Sequence, residues 1–454
     1  MTVELLSCVD RVPQQPEIKQ LPPEYNPLGN KERVFELFKC VAEQASDKIS
    51  TADIYITEER LHKVYDEFEN GPSGPPPTSF FVIHPRDPFL HPNELPPGFE
   101  EFIDIPRYWP ALDRRMIDPA LIEYLFSLLP PHEVGRTSGV GPNGRQIECS
   151  IMAASLTPYQ LYGQALSAPE RVRWAQPRID AVAKLASQWG ASVVGLGETL
   201  GALTKHGERL QDRYPNLQVT TGHAMTTYGI LKTAEAIAQK SGANLPDLRV
   251  TLIGAAGSIG RATAVTLAAH GAQSLILHDV EGSEKRLEKL AEELRNTPGA
   301  RPDLHIQMMA GNGQGLEDAC RQGELLLSMA SAPWPFMDRD HLEGKLGHVD
   351  DSQPPCITRV EADAAGTPLV WPVLQLPDNF HRTFDYGLRN AEFTCCEEVL
   401  AIQMNGGVDY ETTGPVDAYK VAKVTAIAEH LGFQVPTLQS FGQEIPKSMF
   451  RQRQ

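Results

Sequence analysis

The sequence predicts an α/β fold: a Rossmann dinucleotide-binding domain inserted in a discontinuous α/β catalytic domain, with an N-terminal extension. Three observations carry this. From about residue 115, short apolar runs alternate with helix-periodic segments, as in layered α/β proteins. A glycine-punctuated turn joins a strand to a helix at 249–270, and a second apolar strand ends on an acid at 279. The expected limits are 1–110 for the extension, 111–227 and 383–454 for the two parts of the catalytic domain, and 228–382 for the Rossmann domain.

Size and composition agree. At 454 residues the chain is too long for one ordinary core, and 41% hydrophobic with 22% charged residues is a globular composition. A formal charge of −17 argues against general binding to nucleic acid or anionic membrane, which both need a cationic surface. Cysteines at 8, 40, 149, 320, 356, 395 and 396 are odd in number and include no CxxC pair, so neither a disulfide framework nor a metal site is expected. A reducing cytosol is the natural compartment. The N-terminus lacks a basic start with a long apolar run, and no 18-residue apolar stretch follows, so a soluble cytoplasmic chain without a transmembrane segment is expected.

In the extension, "NKERVFELFKCVAEQASD" spaces Val34, Phe35, Phe38, Val41 and Ala42 as an amphipathic helix behind Asn30. The tract "GPSGPPPTSFFVIHPRDPFLHPNELPPGFEEF" has too many prolines for a central strand, and is expected to wrap the body as an extended loop anchored by Phe80 to Ile83. "DPALIEYLFSLLP" then reads as a helix and "RQIECSIMAA" as a strand. "PERVRWAQPRIDAVAKLASQWG" reads as a long helix beginning near Pro169, and "ASVVGLG" as a short buried strand. "MTTYGILKTAEAIAQKSG" is a helix closed by Gly242.

The unit richest in chemistry is "LRVTLIGAAGSIGRATAVTLAAHGAQSLILHDVEG". Arg249 to Ile253 form a strand, Arg261 to His270 a helix, and Ser274 to His278 a second strand ending at Asp279. Glycine lets the backbone of a G-x-x-G-x-x-G turn approach a pyrophosphate, whose charge then rests on the helix N-terminus. Gly254, Ala256, Gly257, Ser258, Ile259 and Gly260 are therefore the expected cofactor-binding residues of the turn. Asp279 lies where a carboxylate accepts hydrogen bonds from both adenosine ribose hydroxyls, which favours NADH. Ala330 and Ser331, in the small-residue loop after the strand "ELLLS", are expected to let the nicotinamide riboside pass close to backbone. "GHVDDSQPP" is a further strand breaking into a polar loop.

A Tyr-x-x-x-Lys pair of the short-chain dehydrogenase kind occurs at Tyr228 and Lys232, but it precedes the glycine turn and loses force. "FTCCEE" offers another chemistry. A thiolate can attack an acyl thioester, and the enzyme-bound thioester can accept a hydride and release an aldehyde. Thr394 and Glu397 have capping-box spacing that would put both thiols in a first helical turn; alternatively the helix begins near Asn390. Charged Glu397 and Glu398 would oppose a thiolate. Two small buried residues on a helix is the competing reading of the pair.

The chain resembles the cyanobacterial-type long-chain acyl-(acyl-carrier-protein) reductases, which make fatty aldehydes from acyl thioesters. The similarity runs from about residue 118 to the C-terminus. It rests on the order and spacing of "TTGHAMTTY" at 220–228, "GAAGSIG" at 254–260, "MASAP" at 329–333, "VDDSQPP" at 349–355 and "FTCCEEVLAI" at 393–402. The resemblance implies Cys395 as the acyl-accepting nucleophile, framed by Phe393, Thr394 and Glu398, with Cys396 a packing thiol. It implies acyl carrier protein or coenzyme A thioesters as partners, and NADPH as cofactor. The sequence departs from the family at Asp279, where the family has a basic residue, at His223 and Met225, and in the loop holding Glu198 and Thr199. Those two loops are expected to flank the substrate.

His223 is a candidate proton donor to the leaving thiolate or the aldehyde oxygen, or a structural loop histidine. Thr220 and Thr221 would hydrogen-bond substrate or nicotinamide, or cap a helix. Arg171, Arg173, Arg178 and Lys184 would dock an acidic carrier or form a solvated helix face. The expected function is reduction of an acyl thioester to an aldehyde. The alternatives are a carbonyl or alcohol dehydrogenase without a covalent intermediate, and a non-catalytic nucleotide sensor. Oligomerisation is left open.

Overall fold

The computed structural model describes residues 25–44, 51–85, 119–156, 161, 167–332, 335–352, 355–383, 388 and 391–453. The chain divides into two compact units, Met1–Thr137 with Glu148–Gln218, and Ser138–Ile147 with Val219–Gln454.

The first unit begins with helices α1 (Lys31–Gln44) and α2 (Thr51–Asn70). Helix α1 starts where expected, although the Asn30 side chain donates to the Asn26 carbonyl rather than capping. Helix α2 is not anticipated by the sequence reading, yet Leu61, Val64 and Tyr65 give it a buried stripe of helical spacing. Strand β1 (Ser79–Ile83) overturns the expectation of a loop-rich wrap. It pairs in parallel with β3 (Gln146–Ala153) on one side and β4 (Val193–Leu196) on the other, and all five of its residues are buried. The physical reason is that the prolines stand outside the strand, where they remove no ladder hydrogen bond. A strand covered on both faces reads as a continuous apolar run rather than an alternation. The tract's residues 86–110 lie outside the described residues.

Helix α3 (Pro119–Leu128), strand β2 (His132–Val140) and helix α4 (Ala168–Gln188) complete this unit's main elements, with strand order β2-β3-β1-β4. Helix α4 carries Pro169 in its first turn, and the Ser167 N–H donates to Glu170 Oε2 at 2.8 Å. Arg178 on α4 does not join a basic docking face. It is 1% exposed, its guanidinium lies 3.5 Å from the Trp174 ring centroid, and it donates to the carbonyls of Trp174 and Ser127.

The second unit follows the short strand β5 (Gln218–Thr220) with helix α5 (His223–Lys240). Then come β6 (Arg249–Ile253), α6 (Ser258–Ala269), β7 (Ser274–Asp279), α7 (Glu284–Arg295) and β8 (His305–Ala310). After them lie α8 (Gln314–Gln322), β9 (Leu325–Ser328), β10 (Gly347–Asp350), α9 (Arg359–Ala365) and β11 (Leu369–Val370). The six strands are parallel in the order β8-β7-β6-β9-β10-β11. This is the Rossmann order, reversing between β6 and β9. Ile253 is in register with His278 and Ser328, and Ser328 with Asp350, so the carboxyl ends of four strands stand side by side.

Beyond the sheet, β12 (Val373–Gln375) pairs antiparallel with β13 (Ala391–Phe393), which runs into α10 (Thr394–Asn405). Helix α11 (Ala418–Leu431) comes after it. The unit boundaries differ from the expected ones: 383–454 clusters with the Rossmann strands rather than with 111–227, and the unit starts at Val219. Helix α5 is the cause. Its Ile230, Ala234 and Ile237 share one core cluster with Val250 and Leu252 of β6, while the same helix packs against α6, α10 and α11.

Candidate functional site

Two helix N-termini meet in the second unit. Between β5 and α5 the chain turns through Gly222 at φ +72°, and a Cβ there would lie 2.5 Å from the Cys395 Cα. Only glycine fits both the left-handed backbone and the contact. One turn on, the Thr226 and Thr394 hydroxyls are 3.1 Å apart, and a Cβ on Gly229 would strike Thr394 Cγ2 at 2.4 Å. Residues 222, 226 and 229 thus share the face of α5 that receives the start of α10.

Helix α10 begins at Thr394, with Phe393 in the N-cap position and no side-chain cap. Cys395 and Cys396 are therefore the second and third helical residues. The capping box is not formed: the Thr394 hydroxyl goes to Thr226, and Glu397 is fully buried with neither carboxyl oxygen hydrogen-bonded among the described residues. Cys395 is half-buried, whereas Cys396 is buried.

Glu398 is 2% exposed and fastens the two helices together. Its Oε1 accepts from the Thr220 hydroxyl and its Oε2 from the Met225 N–H at 2.8 Å, while the Gly222 N–H donates to Thr220 Oγ1 at 3.1 Å. Burial pushes the Glu398 carboxyl up, and the Thr220 hydroxyl and backbone N–H groups pull it partly back. Glu397 is pushed far up by burial, then by the Glu392 charge. Both acids are thus driven toward the neutral form, which weakens their opposition to negative charge at Cys395. Thr221 is buried in the same loop. His223 opens α5, with Nδ1 3.3 Å from the Ser258 hydroxyl of the glycine turn. That hydroxyl also lies 3.3 Å from the Val416 N–H, which donates to it.

The turn between β6 and α6 is built for close approach. Gly254 has φ +82°, and a Cβ on it would sit 2.7 Å from the Met329 carbonyl. A Cβ on Gly260 would lie 2.2 Å from the Gly254 carbonyl. Helix α6 starts at Ser258, three residues before the expected Arg261, because Gly257 serves as an extended N-cap with no side-chain oxygen to offer. No side-chain cap therefore competes with a phosphate for the first-turn N–H groups. Asp279 Oδ2 accepts from the Ala256 N–H at 2.8 Å and Oδ1 from the Val280 N–H at 2.9 Å. The carboxylate is fixed at the strand end beside the turn, and each oxygen keeps acceptor capacity for a ribose hydroxyl. Ile259 is half-buried behind the turn, as is Ala330, whose N–H lies 3.3 Å from Ser352 Oγ; Ser331 is exposed. These residues fit a dinucleotide.

The first unit has a polar centre of its own, at the carboxyl ends of the parallel neighbours β1 and β4. His84 follows β1 and is 1% exposed. Its Nδ1 is 2.9 Å from Glu198 Oε2, its Nε2 is 2.9 Å from Thr199 Oγ1, and its N–H donates to Glu198 Oε2. Glu198 holds φ +53°, a strained conformation for a non-glycine residue. Sequence reasoning identified Glu198 and Thr199 and missed His84; its signal is the polar residue ending the apolar run "SFFVI".

No protein-family model matches the chain, and no curated protein matches it. Solved structures give distant likenesses. Shikimate 5-dehydrogenase from Listeria monocytogenes, in complex with shikimate and NAD, is 15% identical over 34% of this chain and 53% of its own, with a TM-score of 0.26. Quinate dehydrogenase from Corynebacterium glutamicum in complex with NAD is 14% identical over 55% of this chain and 82% of its own, with a TM-score of 0.31. Entamoeba histolytica malic enzyme is 12% identical over 95% of this chain and 82% of its own, with a TM-score of 0.38. Likenesses of this degree carry no substrate or mechanism to this chain.

Proposed function

We propose that this protein is a nicotinamide-dependent oxidoreductase that reduces an acyl thioester to an aldehyde through an acyl-Cys395 intermediate, as its resemblance to the acyl-(acyl-carrier-protein) reductases implies. The observation that carries this is the seat of Cys395. It stands second in α10 against Gly222, where two helix N-termini favour negative charge and Glu398 locks the geometry.

Cys395 Sγ attacks the thioester carbonyl carbon. A new C–S bond forms, the bond to the carrier sulfur breaks, and the leaving thiolate takes a proton. In this reading His223, the first residue of α5, supplies it. A bound nicotinamide supplies the hydride. When the resulting tetrahedral alkoxide collapses, the Cys395 C–S bond breaks and the aldehyde leaves. Glu398 does not touch the reacting atoms in this scheme. It is a positioning residue that holds Thr220 and the start of α5 against α10. The first-turn N–H groups of α6 would face the pyrophosphate, and Asp279, held at the turn by the Ala256 N–H, the adenosine ribose.

Incubation with acyl-coenzyme A and acyl-carrier-protein thioesters of varied length, followed by intact-mass measurement, tests the reading. The expected result is one acyl adduct per chain, absent in Cys395→Ala and present in Cys396→Ala. An adduct and aldehyde release that survive in Cys395→Ala would sink it.

A further inference from the structure

A second constellation lies in the Rossmann unit, and the thioester scheme does not use it. Ser328 ends β9, His348 and Asp350 lie at the end of β10, and Cys356 follows in the next loop; each is at most 1% exposed. One ligand atom from each of His348, Asp350 and Cys356 lies within 4.8 Å of the others. Cys356 Sγ is 3.8 Å from His348 Nε2 and 3.4 Å from the thioether of Met337, and the Ser328 hydroxyl is 2.7 Å from the same His348 nitrogen.

The surroundings make this an unusual place for such groups. Cys356 and Met337 belong to an apolar cluster with Ile253, Leu326, Leu342 and Leu369. Among the described residues no lysine or arginine pairs with Asp350; its oxygens accept the backbone N–H groups of Ser352 and Cys356, each at 3.0 Å. Among the described residues His348 Nδ1 has no hydrogen-bond partner. A buried carboxylate without a cation is costly.

We propose that His348, Asp350 and Cys356 bind one divalent transition-metal ion, zinc by preference, with Ser328 Oγ or Met337 Sδ as the fourth donor. Bond lengths of about 2.0–2.3 Å around a tetrahedral ion put ligand atoms roughly 3.3–3.8 Å apart, so His348, Asp350 and Cys356 need only a small contraction of their side chains, while the Ser328 hydroxyl, 2.7 Å from His348 Nε2, moves outward to exchange its hydrogen bond for the ion. One thiolate and one carboxylate offset the two positive charges, leaving a neutral assembly suited to an apolar interior. The two backbone N–H bonds orient the carboxylate as outer-shell partners do. With every donor buried, the ion enters as the chain folds and acts structurally, tying the ends of β9 and β10 to the loop that carries Cys356.

The test uses the full chain, expressed in zinc-replete or cobalt(II)-supplemented medium, or reconstituted by refolding with either ion, so that the metal is present as the chain folds. About one ion per chain is expected by elemental analysis, with a thiolate-to-cobalt charge-transfer band in the near ultraviolet. Cys356→Ala should abolish the band, Cys320→Ala should keep it, and Asp350→Asn should weaken cobalt binding at least tenfold, on the order of a lost ligand contact. Less than roughly a tenth of an ion per folded wild-type chain after reconstitution overturns the proposal, as does cobalt binding without a thiolate band. If Cys356→Ala does not fold, the wild-type spectrum and the Asp350→Asn titration decide alone.

Discussion

Cys395 and Cys396 are adjacent in sequence and opposite in setting, one half-buried on a glycine and the other sealed in the core. A helix first turn separates successive side chains by about 100°, so only one of two neighbours can face the loop before α5. Gly222 sets that geometry. Gly222→Ala combines a left-handed alanine with a Cβ pressed onto Cys395 Cα, and should cost at least about 2 kcal/mol in urea denaturation. Acylation measured by mass should slow with it; an unaltered acylation rate would show that the contact does not position the thiol. Cys396→Ala only trims a packed sulfur, and should lower stability by about 1 kcal/mol with the adduct intact.

At the level of elements, the glycine turn and the end of β7 act together. Asp279 buttresses the turn through the Ala256 N–H and presents its carboxylate where the ribose would lie. NADH should therefore bind more tightly than NADPH in a fluorescence titration. Asp279→Ser should narrow or reverse the preference by at least tenfold, about 1.4 kcal/mol. Tighter binding of NADPH by the unmodified chain would contradict this role and favour the cofactor implied by the family resemblance. The α5–α10 contact is the other pairing of elements on which the site depends. Glu398→Gln keeps the side chain's shape but cannot accept from both the Thr220 hydroxyl and the Met225 N–H. It should cost about 1–3 kcal/mol, as for a buried donor left without its acceptor, and slow acylation without moving the adduct to another residue.

Over the whole molecule, stability should carry the mark of its buried acids. Burial raises Glu392 from an ordinary 4.5 to about 7, although Arg382 pulls it down. A carboxyl raised in the folded state contributes stability that is fully present below about pH 4.5 and is lost as pH rises through about 7. Glu392→Gln should match the wild type near pH 4.5 and exceed it above pH 7 by on the order of 3 kcal/mol, read from melting temperatures across that range. A constant difference at every pH would rule this group out. Much of this organisation was legible in the residues. The Rossmann strands, the glycine turn, Asp279 and the long helices α4 and α5 follow from short-range periodicity and turn chemistry, which neighbours along the chain encode by themselves. What the sequence could not give were partners chosen at long range. Strand β1 is central because β3 and β4 cover its edges, and Glu398 is an anchor because Thr220 and Met225 lie beneath it. Thr394 gives up the cap because Thr226 takes its hydroxyl, and His84 meets Glu198 only because two parallel strands end side by side. Those pairings depend on which faces are buried against each other, a property of packing that no local pattern contains.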